Sequence, residues 1–306
     1  MRRRSAGVWR GRLVRITLVL AALLTLCAAG LSTYVGWSLT HPAKKPLTET
    51  PSDYGLAYEK ISFPSRDGKI SLKGWFLPGA EGTGGKTVII AHGYSKNRLQ
   101  DDAHIMPLVQ SIIKEGYGVV MFDFRNSGES GGSLTSVGEY EEQDLLGAID
   151  WVKQEHPGRT ALLGFSMGAS TALLAAAEEP SVASVIADSP FSHLERYLKE
   201  NLPAWSHLPS FPFTPLILGI LPPLVGVHPG LVDVSAAADA VYPRPVLFIH
   251  SKDDDKIPSV NSQSMWQAHP DKFEFWETKQ AGHVGSYKLF PKAYTEKVLQ
   301  FLAGNL

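Results

Sequence analysis

One stretch constrains the fold of this chain more than any other: residues 161–177, with the sequence ALLGFSMGASTALLAAA. It begins with an apolar run of strand length and ends in a run of helix-forming residues. Between them Ser166 is flanked, two residues away on each side, by Gly164 and Gly168. Glycine at both positions permits a sharp turn at which strand and helix approach closely. The stretch therefore predicts a strand, a tight turn and a helix, with the serine hydroxyl exposed at the turn.

A second Gly-x-Ser-x-Gly pattern is centred on Ser130. Its nearest predicted strand ends at about Phe124, and residues 133–138 do not form an immediate helix. Because the pattern lacks the strand and helix that give it meaning, we interpret Ser130 as a residue of a glycine-rich loop. Ser166 is the candidate that its context supports.

Strand-like and helix-like segments alternate along the rest of the chain. The predicted strands are residues 61–64, 70–77, 87–91, 118–122, 161–165, 182–187, 245–250 and 273–277. The predicted helices outside the central stretch are residues 102–115, 138–154 and 292–302. Such alternation predicts an α/β fold with a mostly parallel central sheet and helices on both faces.

The N-terminal region predicts a membrane anchor. Residues 16–39 contain no charge and would form a helix of about 36 Å, which exceeds the roughly 30 Å of a bilayer core. Six arginines lie in residues 1–15, which predicts a cytoplasmic tail and an extracytoplasmic body. Tyr34 and Trp37 suit the outer interface. The alternative is a signal peptide cleaved after the small residues at 27–29, which would leave a secreted protein.

Charge and cysteine content exclude some functions. Without the six N-terminal arginines, the chain has 23 basic and 30 acidic residues, a net charge of −7. An acidic body argues against nucleic acid as a partner. The single cysteine, Cys27, excludes an intramolecular disulfide and a cysteine-based zinc site.

An insert interrupts the alternation between about residues 190 and 240. Within it, residues 201–232 contain seven prolines and no Asp, Glu, Lys or Arg. So many prolines argue against a second membrane span. We predict a small cap whose apolar face packs on the core, with an apolar substrate pocket or a membrane contact as the alternative.

A reactive serine needs a base and a carboxylate that orients the base. The acidic turn 253–255 follows the predicted strand 245–250, and His283 follows the last predicted strand. We therefore pair Ser166 with His283 as base and with Asp254 as acid. No metal site is predicted, because the acidic turn lacks the glycine and downstream glutamate of a calcium loop.

These motifs resemble the series found in the α/β-hydrolase superfamily over about residues 56–306. The matching segments are His92-Gly93-Tyr94, Asp123-x-Arg125-x-x-Gly128-x-Ser130, Gly164-x-Ser166-x-Gly168, Asp254-x-x-Ile257-Pro258 and Gly282-His283. Within the superfamily, the chain is similar to membrane-anchored bacterial hydrolases with a serine-aminopeptidase-like core. The acid of that family lies four residues before the proline, which implies Asp254. Asn126 and Ser251 depart from the pattern, because the family often has glycine there.

The supporting parts of the site follow. The backbone N–H groups of Tyr94 and Met167 would form the oxyanion hole. The Tyr94 hydroxyl is either a further donor or a packing group. His92, Gly93, Gly164 and Gly168 would shape the supporting loops, and Arg125 and Ser130 would hold the loop after their strand.

The sequence thus predicts a serine hydrolase with four regions: tail 1–15, signal-anchor 16–39, linker 40–55 and α/β-hydrolase domain 56–306. Linker residues 41–55 are expected to be extended and to hold the domain off the membrane. The expected substrate is a small acyl ester or thioester, and no cofactor is implied. A serine peptidase is the main alternative, and a non-catalytic, membrane-tethered binding module is the alternative of another class. The oligomeric state is left open.

Overall fold

The computed structural model describes residues 2–80 and 85–306, with side chains described from residue 9 onward, and it divides into two compact units. The helical unit joins the chain up to Thr40 with Leu198–Val227. The sheet unit joins His41–Tyr197 with His228–Leu306.

The sheet unit is built on one mixed sheet, which has eight strands within the described residues. The strands are β1 (Glu59–Pro64), β2 (Ser71–Leu77), β3 (Lys86–Ala91), β4 (Gly118–Asp123), β5 (Arg159–Phe165), β6 (Val182–Asp188), β7 (Val246–Ser251) and β8 (Phe273–Thr278). Their order in the sheet is β1-β2-β4-β3-β5-β6-β7-β8. The β1–β2 and β2–β4 pairs are antiparallel and the other pairs are parallel.

Within the sheet unit, helices connect the strands and cover the sheet, and the described residues of both units form ten α-helices. They are α1 (Arg2–Thr40), α2 (Met106–Lys114), α3 (Glu141–Glu155), α4 (Met167–Glu178), α5 (Leu194–Ser206), α6 (Ser210–Val225), α7 (Val234–Val241), α8 (Val260–Ala268), α9 (Ser286–Leu289) and α10 (Pro291–Asn305). Helices α2 and α10 share one buried cluster with alternate residues of β5, while α3 and α4 contact each other and the sheet. The predicted α/β fold, with a mostly parallel sheet and helices on both faces, is confirmed.

The parallel strands bring several loops to one edge of the sheet. At the carboxyl ends, Ala91 of β3 pairs with Gly164 of β5, and Phe165 of β5 pairs with Asp188 of β6. Strands β7 and β8 continue in the same direction as far as the pair Ser251–Thr278. The loops that follow β3, β5, β6, β7 and β8 therefore lie along a single edge, where open α/β sheets bind their ligands.

Two predicted helices begin later than expected. Helix α2 begins at Met106 rather than residue 102, because Gln100 and His104 have left-handed backbone angles that a helix cannot contain. Pro107 lies in the first turn, a position that favours proline. Helix α3 begins at Glu141 rather than residue 138, where Gly138 has φ +124°.

Linker residues 41–50 are irregular, and several of them contact loops of the sheet unit. Asn126 donates its amide to Pro42 O over 3.2 Å, and Asn97 donates to Pro46 O over 3.0 Å. The Lys44 ammonium donates to Ser130 O. Backbone carbonyls outside helices and strands need other donors, and the side chains of Asn126 and Asn97 supply them to Pro42 and Pro46.

The helical unit combines α1 with the uncharged part of the insert. Helix α6 packs on α1, and Ile217 and Leu221 of α6 lie against Gly36 of α1. The stretch Trp9–Thr40 is long and apolar enough to cross a membrane, a test that a signal sequence near the N-terminus also passes. Helices α5 and α6 pass the same test only as a pair, with a bend of 118° between them.

Candidate active site

Ser166 occupies a strained turn between β5 and α4. Its backbone angles are φ +52° and ψ −116°, a combination that costs free energy for a residue with a side chain. The backbone N–H of Ser166 donates to Asp188 O over 2.8 Å. The Ser166 carbonyl accepts from the N–H groups of Ala169 and Ser170. These bonds hold the turn in place, with the serine at the N-terminus of α4.

Close approach of three backbone segments explains the two flanking glycines. A Cβ atom on Gly164 would lie 2.3 Å from the carbonyl oxygen of Gly168. A Cβ atom on Gly168 would lie 2.2 Å from the carbonyl oxygen of Ala91, at the end of β3. Both distances are far below van der Waals contact, so no side chain fits at either position.

The structure brings Ser166, His283 and Asp254 together. His283 Nε2 lies 2.8 Å from Ser166 Oγ, and His283 Nδ1 lies 2.7 Å from Asp254 Oδ2. The three side chains are in series, as in a nucleophile, base and acid triad. They come from the loops after β5, β7 and β8, so the chain positions them by ending parallel strands at one edge.

Asp254 accepts hydrogen bonds on both of its oxygens. Oδ1 accepts the backbone N–H groups of Lys256 and Ile257, each over 2.9 Å. Oδ2 faces His283 and also lies 3.2 Å from Nε2 of the buried His250. Burial would raise the pKa of Asp254, but the hydrogen bonds from His250 and His283 outweigh it and hold the pKa well below its usual range. The carboxylate therefore stays ionised throughout the neutral range.

His250 is a part of this site that sequence reasoning missed. Its ring is buried at the end of β7, with Nδ1 2.8 Å from Ser262 Oγ and Nε2 2.8 Å from Ile257 O. A carbonyl can only accept, so Nε2 carries a proton. His250 thereby ties the acidic turn to both β7 and α8. A polar residue ending an apolar strand, just before the acidic turn, is the signal that could have indicated it.

The loop after β3 brings Gly93 close to the turn of Ser166, since a Cβ atom on Gly93 would lie 3.5 Å from Phe165 O. His92 is buried, with Nδ1 donating to Gly93 O over 2.8 Å and Nε2 accepting the Phe124 N–H over 3.0 Å. Burial lowers the pKa of His92, in keeping with one nitrogen that donates and one that accepts. Gln100 accepts the Gly93 N–H over 2.6 Å, a contact that the sequence did not suggest. Burial raises the pKa of Tyr94 to about 12, so its hydroxyl remains protonated.

Two buried ion pairs fix the loop after β4, on which the His92 contact depends. Arg98 pairs with Asp123, and Arg125 pairs with Asp144 over 2.7 Å. Ser130 is buried in this loop, donates to Asp123 O over 2.6 Å and accepts the Lys73 N–H. Asn126 has φ +55°, the conformation for which glycine is usually chosen. Asparagine tolerates it better than most residues, so this departure preserves the loop.

Asp188 is a second buried carboxyl group near the turn. Ser189 and Tyr294 donate hydroxyl hydrogen bonds to it, each over 2.9 Å. Burial raises its pKa to about 6, and these two hydrogen bonds only partly oppose the increase. Among the described residues, no group of three or more His, Cys, Asp or Glu side chains is placed to hold a metal ion.

The raised pKa of Asp188 predicts a pH-dependent stability. An unfolded aspartate titrates near pH ~3.9, so Asp188 contributes stability that is full below that pH and is lost as pH rises through about 6. Two pKa units correspond to about 3 kcal/mol. Asparagine at position 188 is neutral at every pH. We therefore expect the free energy of unfolding of Asp188→Asn, relative to that of the native chain, to be about 3 kcal/mol higher at pH ~8 than at pH ~4. Urea unfolding at the two pH values measures the difference, and an equal difference at both would contradict the prediction.

Comparison with known proteins places this geometry in a family. A family profile described as alpha/beta hydrolase fold matches residues 86–207. A relative from Bacillus subtilis (strain 168), uncharacterized protein YqkD, is 34% identical over 220 residues, which cover 71% of this chain and 70% of the relative. The chain belongs to the α/β-hydrolase superfamily.

Solved structures agree. The esterase PF2001 of Pyrococcus furiosus is 27% identical, with a TM-score of 0.72 over 87% of this chain and 98% of the esterase. An acylaminoacyl peptidase of Pyrococcus horikoshii is 17% identical, with a TM-score of 0.61 over 81% of this chain and 41% of the peptidase, and this likeness shows the fold alone. The fold and the esterase neighbour support hydrolase activity.

Proposed function

We propose that the protein is a serine hydrolase that transfers an acyl group to water, with Ser166 as nucleophile, His283 as base and Asp254 as acid. The observation that carries the proposal is the series of two short contacts, 2.8 Å from Ser166 to His283 and 2.7 Å from His283 to Asp254. These distances lie within the hydrogen-bond range required of a nucleophile, its base and the group that orients the base.

The protonation states follow from the contacts. Ionised Asp254 can only accept, so His283 carries its proton on Nδ1 and its Nε2 is free to accept the Ser166 proton. As Ser166 Oγ attacks the acyl carbon, His283 takes the hydroxyl proton and then gives it to the leaving group. Water then attacks the acyl-enzyme with His283 again as base, which releases the acid and restores the serine.

Negative charge on the substrate oxygen needs donors, and we assign the backbone N–H groups of Met167 and Tyr94. Met167 is the first residue of α4, where helical N–H groups have no carbonyl of their own helix to bind. The positive end of the helix dipole adds to the effect. Tyr94 follows the Gly93 peptide that Gln100 holds, so the loop is fixed before substrate arrives.

An ester or thioester is the substrate class that we favour over a peptide. The esterase PF2001 combines 27% identity with near-complete coverage of its own chain, and this likeness supports the ester class. We therefore expect the substrates to be small acyl esters of the kind that carboxylesterases and lipases cleave.

Labelling with a fluorophosphonate probe tests the proposal, because the probe reacts only with an activated serine. We expect the native chain to be labelled and Ser166→Ala to lose the label completely. Ser130→Ala is the matched control, since Ser130 has the same Gly-x-Ser-x-Gly spacing but lies buried in a loop. A thermal melt of each variant checks that it is folded.

Other results would assign other functions. Label retained in Ser166→Ala would contradict the proposed nucleophile, and a native chain that is never labelled would favour a binding module. Hydrolysis of aminoacyl-nitroanilides without hydrolysis of nitrophenyl esters would identify a peptidase.

We also propose that α1 anchors the enzyme in the membrane, with residues 1–15 in the cytoplasm and the sheet unit outside. The support is the length and apolar character of Trp9–Thr40 and the six arginines before residue 16. Membrane fractionation of the expressed full chain distinguishes this anchor from a cleaved signal peptide, which would release the protein.

A further inference from the structure

The uncharged insert has an exposed face that does not suit water. In α6, Ile217 and Leu221 are buried, whereas Pro215, Gly219 and Pro223 are exposed at a spacing of four residues. Phe211, at the start of the helix, is 83% exposed. A surface helix of a water-soluble protein carries charged and polar side chains on its outer face. This outer face has none of them.

The buried face of α6 shows where the helix lies along α1. Side-chain atoms of Ile217 and Leu221 lie 3.7 and 3.4 Å, respectively, from the position that a Cβ atom on Gly36 would occupy. Val35 and Leu39 belong to the same apolar cluster. Helix α6 thus packs on the last two turns of the uncharged stretch of α1.

This location coincides with the outer end of the proposed span. Gly36 is twenty residues beyond Ile16, which is about 30 Å along a helix and equals the thickness of a bilayer core. Tyr34 and Trp37 are exposed at the same level, where aromatic residues mark the membrane interface. A helix packed there would meet lipid headgroups and the upper acyl chains.

We propose that the outer face of α6 is immersed in the outer interface of the bilayer, as a second membrane contact beside α1. The inference rests on the proposed anchor and is independent of the proposed catalysis. The continuous helical part of α6, residues 212–225, is about 21 Å long, and α6 is bent by 118° from α5, so it lies in the interface rather than spanning the bilayer. The occupant is neutral lipid surface, because residues 201–232 have no charge with which to select anionic lipid.

Spin labels at single cysteines test the proposal in the full chain. Cys27→Ala removes the native thiol, and Phe211→Cys introduces a label at the exposed start of α6. The protein is reconstituted in nanodiscs of dioleoylphosphatidylcholine, and collisions of the label with oxygen and with a water-soluble nickel chelate are measured. Oxygen concentrates in lipid and the chelate in water.

Two reference positions give the scale. Leu24 is 72% exposed in the middle of the proposed span, and Val260 is 60% exposed on α8 of the sheet unit. We expect the Phe211 label to lose its chelate collisions and approach the Leu24 label, while the Val260 label keeps them. Gly219→Cys provides a second position, on the outer face of α6, where a Cβ atom would meet no atom within 4 Å.

Several outcomes would overturn the proposal. One is a label at Phe211 or Gly219 that collides with the chelate as often as the Val260 label does. Another is protection from both reagents together with dipolar coupling between copies, which would show that a second chain covers the face. A Leu24 label in water would remove the anchor and the interfacial contact together, yet would leave the fluorophosphonate result unchanged.

Discussion

His283→Ala is expected to lower kcat for a nitrophenyl ester by about 10⁵- to 10⁶-fold, the loss that follows removal of the histidine from a serine triad. The reason is that Ser166 Oγ lies 2.8 Å from His283 Nε2, and the hydroxyl is a weak nucleophile without that base. Steady-state and single-turnover hydrolysis measure the effect. Combining His283→Ala with Ser166→Ala should cost little more than either change alone, because the two residues act as one unit.

His269→Ala is the matched control. His269 also faces a carboxylate, Asp239, over 2.9 Å, but lies at the end of α8. We expect the His269→Ala variant to retain the kcat of the native chain. A His283→Ala enzyme that is folded and retains more than about a hundredth of the native kcat would contradict the assigned base.

Asp254→Asn is expected to lower kcat by about 10⁴-fold. The amide no longer enforces the His283 tautomer that has its proton on Nδ1, so Nε2 ceases to be a reliable acceptor for Ser166. Its NH₂ group would also face one of the N–H donors that now bind the carboxylate. The measurement is kcat on the same ester, with a melting curve to separate loss of catalysis from loss of fold.

Asp255→Asn serves as the comparison, since its side chain is 75% exposed in the same acidic turn. We expect near-native kcat, because exposed charges outside the triad contribute little. If Asp255→Asn were as inactive as Asp254→Asn, the acid would be misassigned.

Much of the fold follows from local sequence. Strands β3, β4 and β5 are apolar runs of strand length, so their burial in a parallel sheet is predictable from the run itself. The start of α2 is not predictable from local sequence, because the left-handed backbone angles of Gln100 and His104 depend on loop contacts remote in sequence. The hydrogen bonds of the linker are also not predictable from local sequence, since their donors Asn97 and Asn126 lie more than fifty residues away.

The residues of the site also divide into those that the sequence predicts and those that it does not. Ser166, Asp254 and His283 each follow a predicted strand, so their meeting at one sheet edge is a consequence of parallel topology. His250 and Gln100 do not belong to any spacing pattern that predicts a contact. Their roles arise from tertiary hydrogen bonds to the turn of Asp254 and to Gly93.

The crowding around Asp254 limits what this carboxylate can do for a substrate. Two backbone amides and two imidazoles occupy the directions in which its oxygens could bind a ligand. No lone pair of Asp254 is left to accept a hydrogen bond from the ammonium group of an amino-acid substrate. Any positive charge on a substrate must be recognised by another part of the protein.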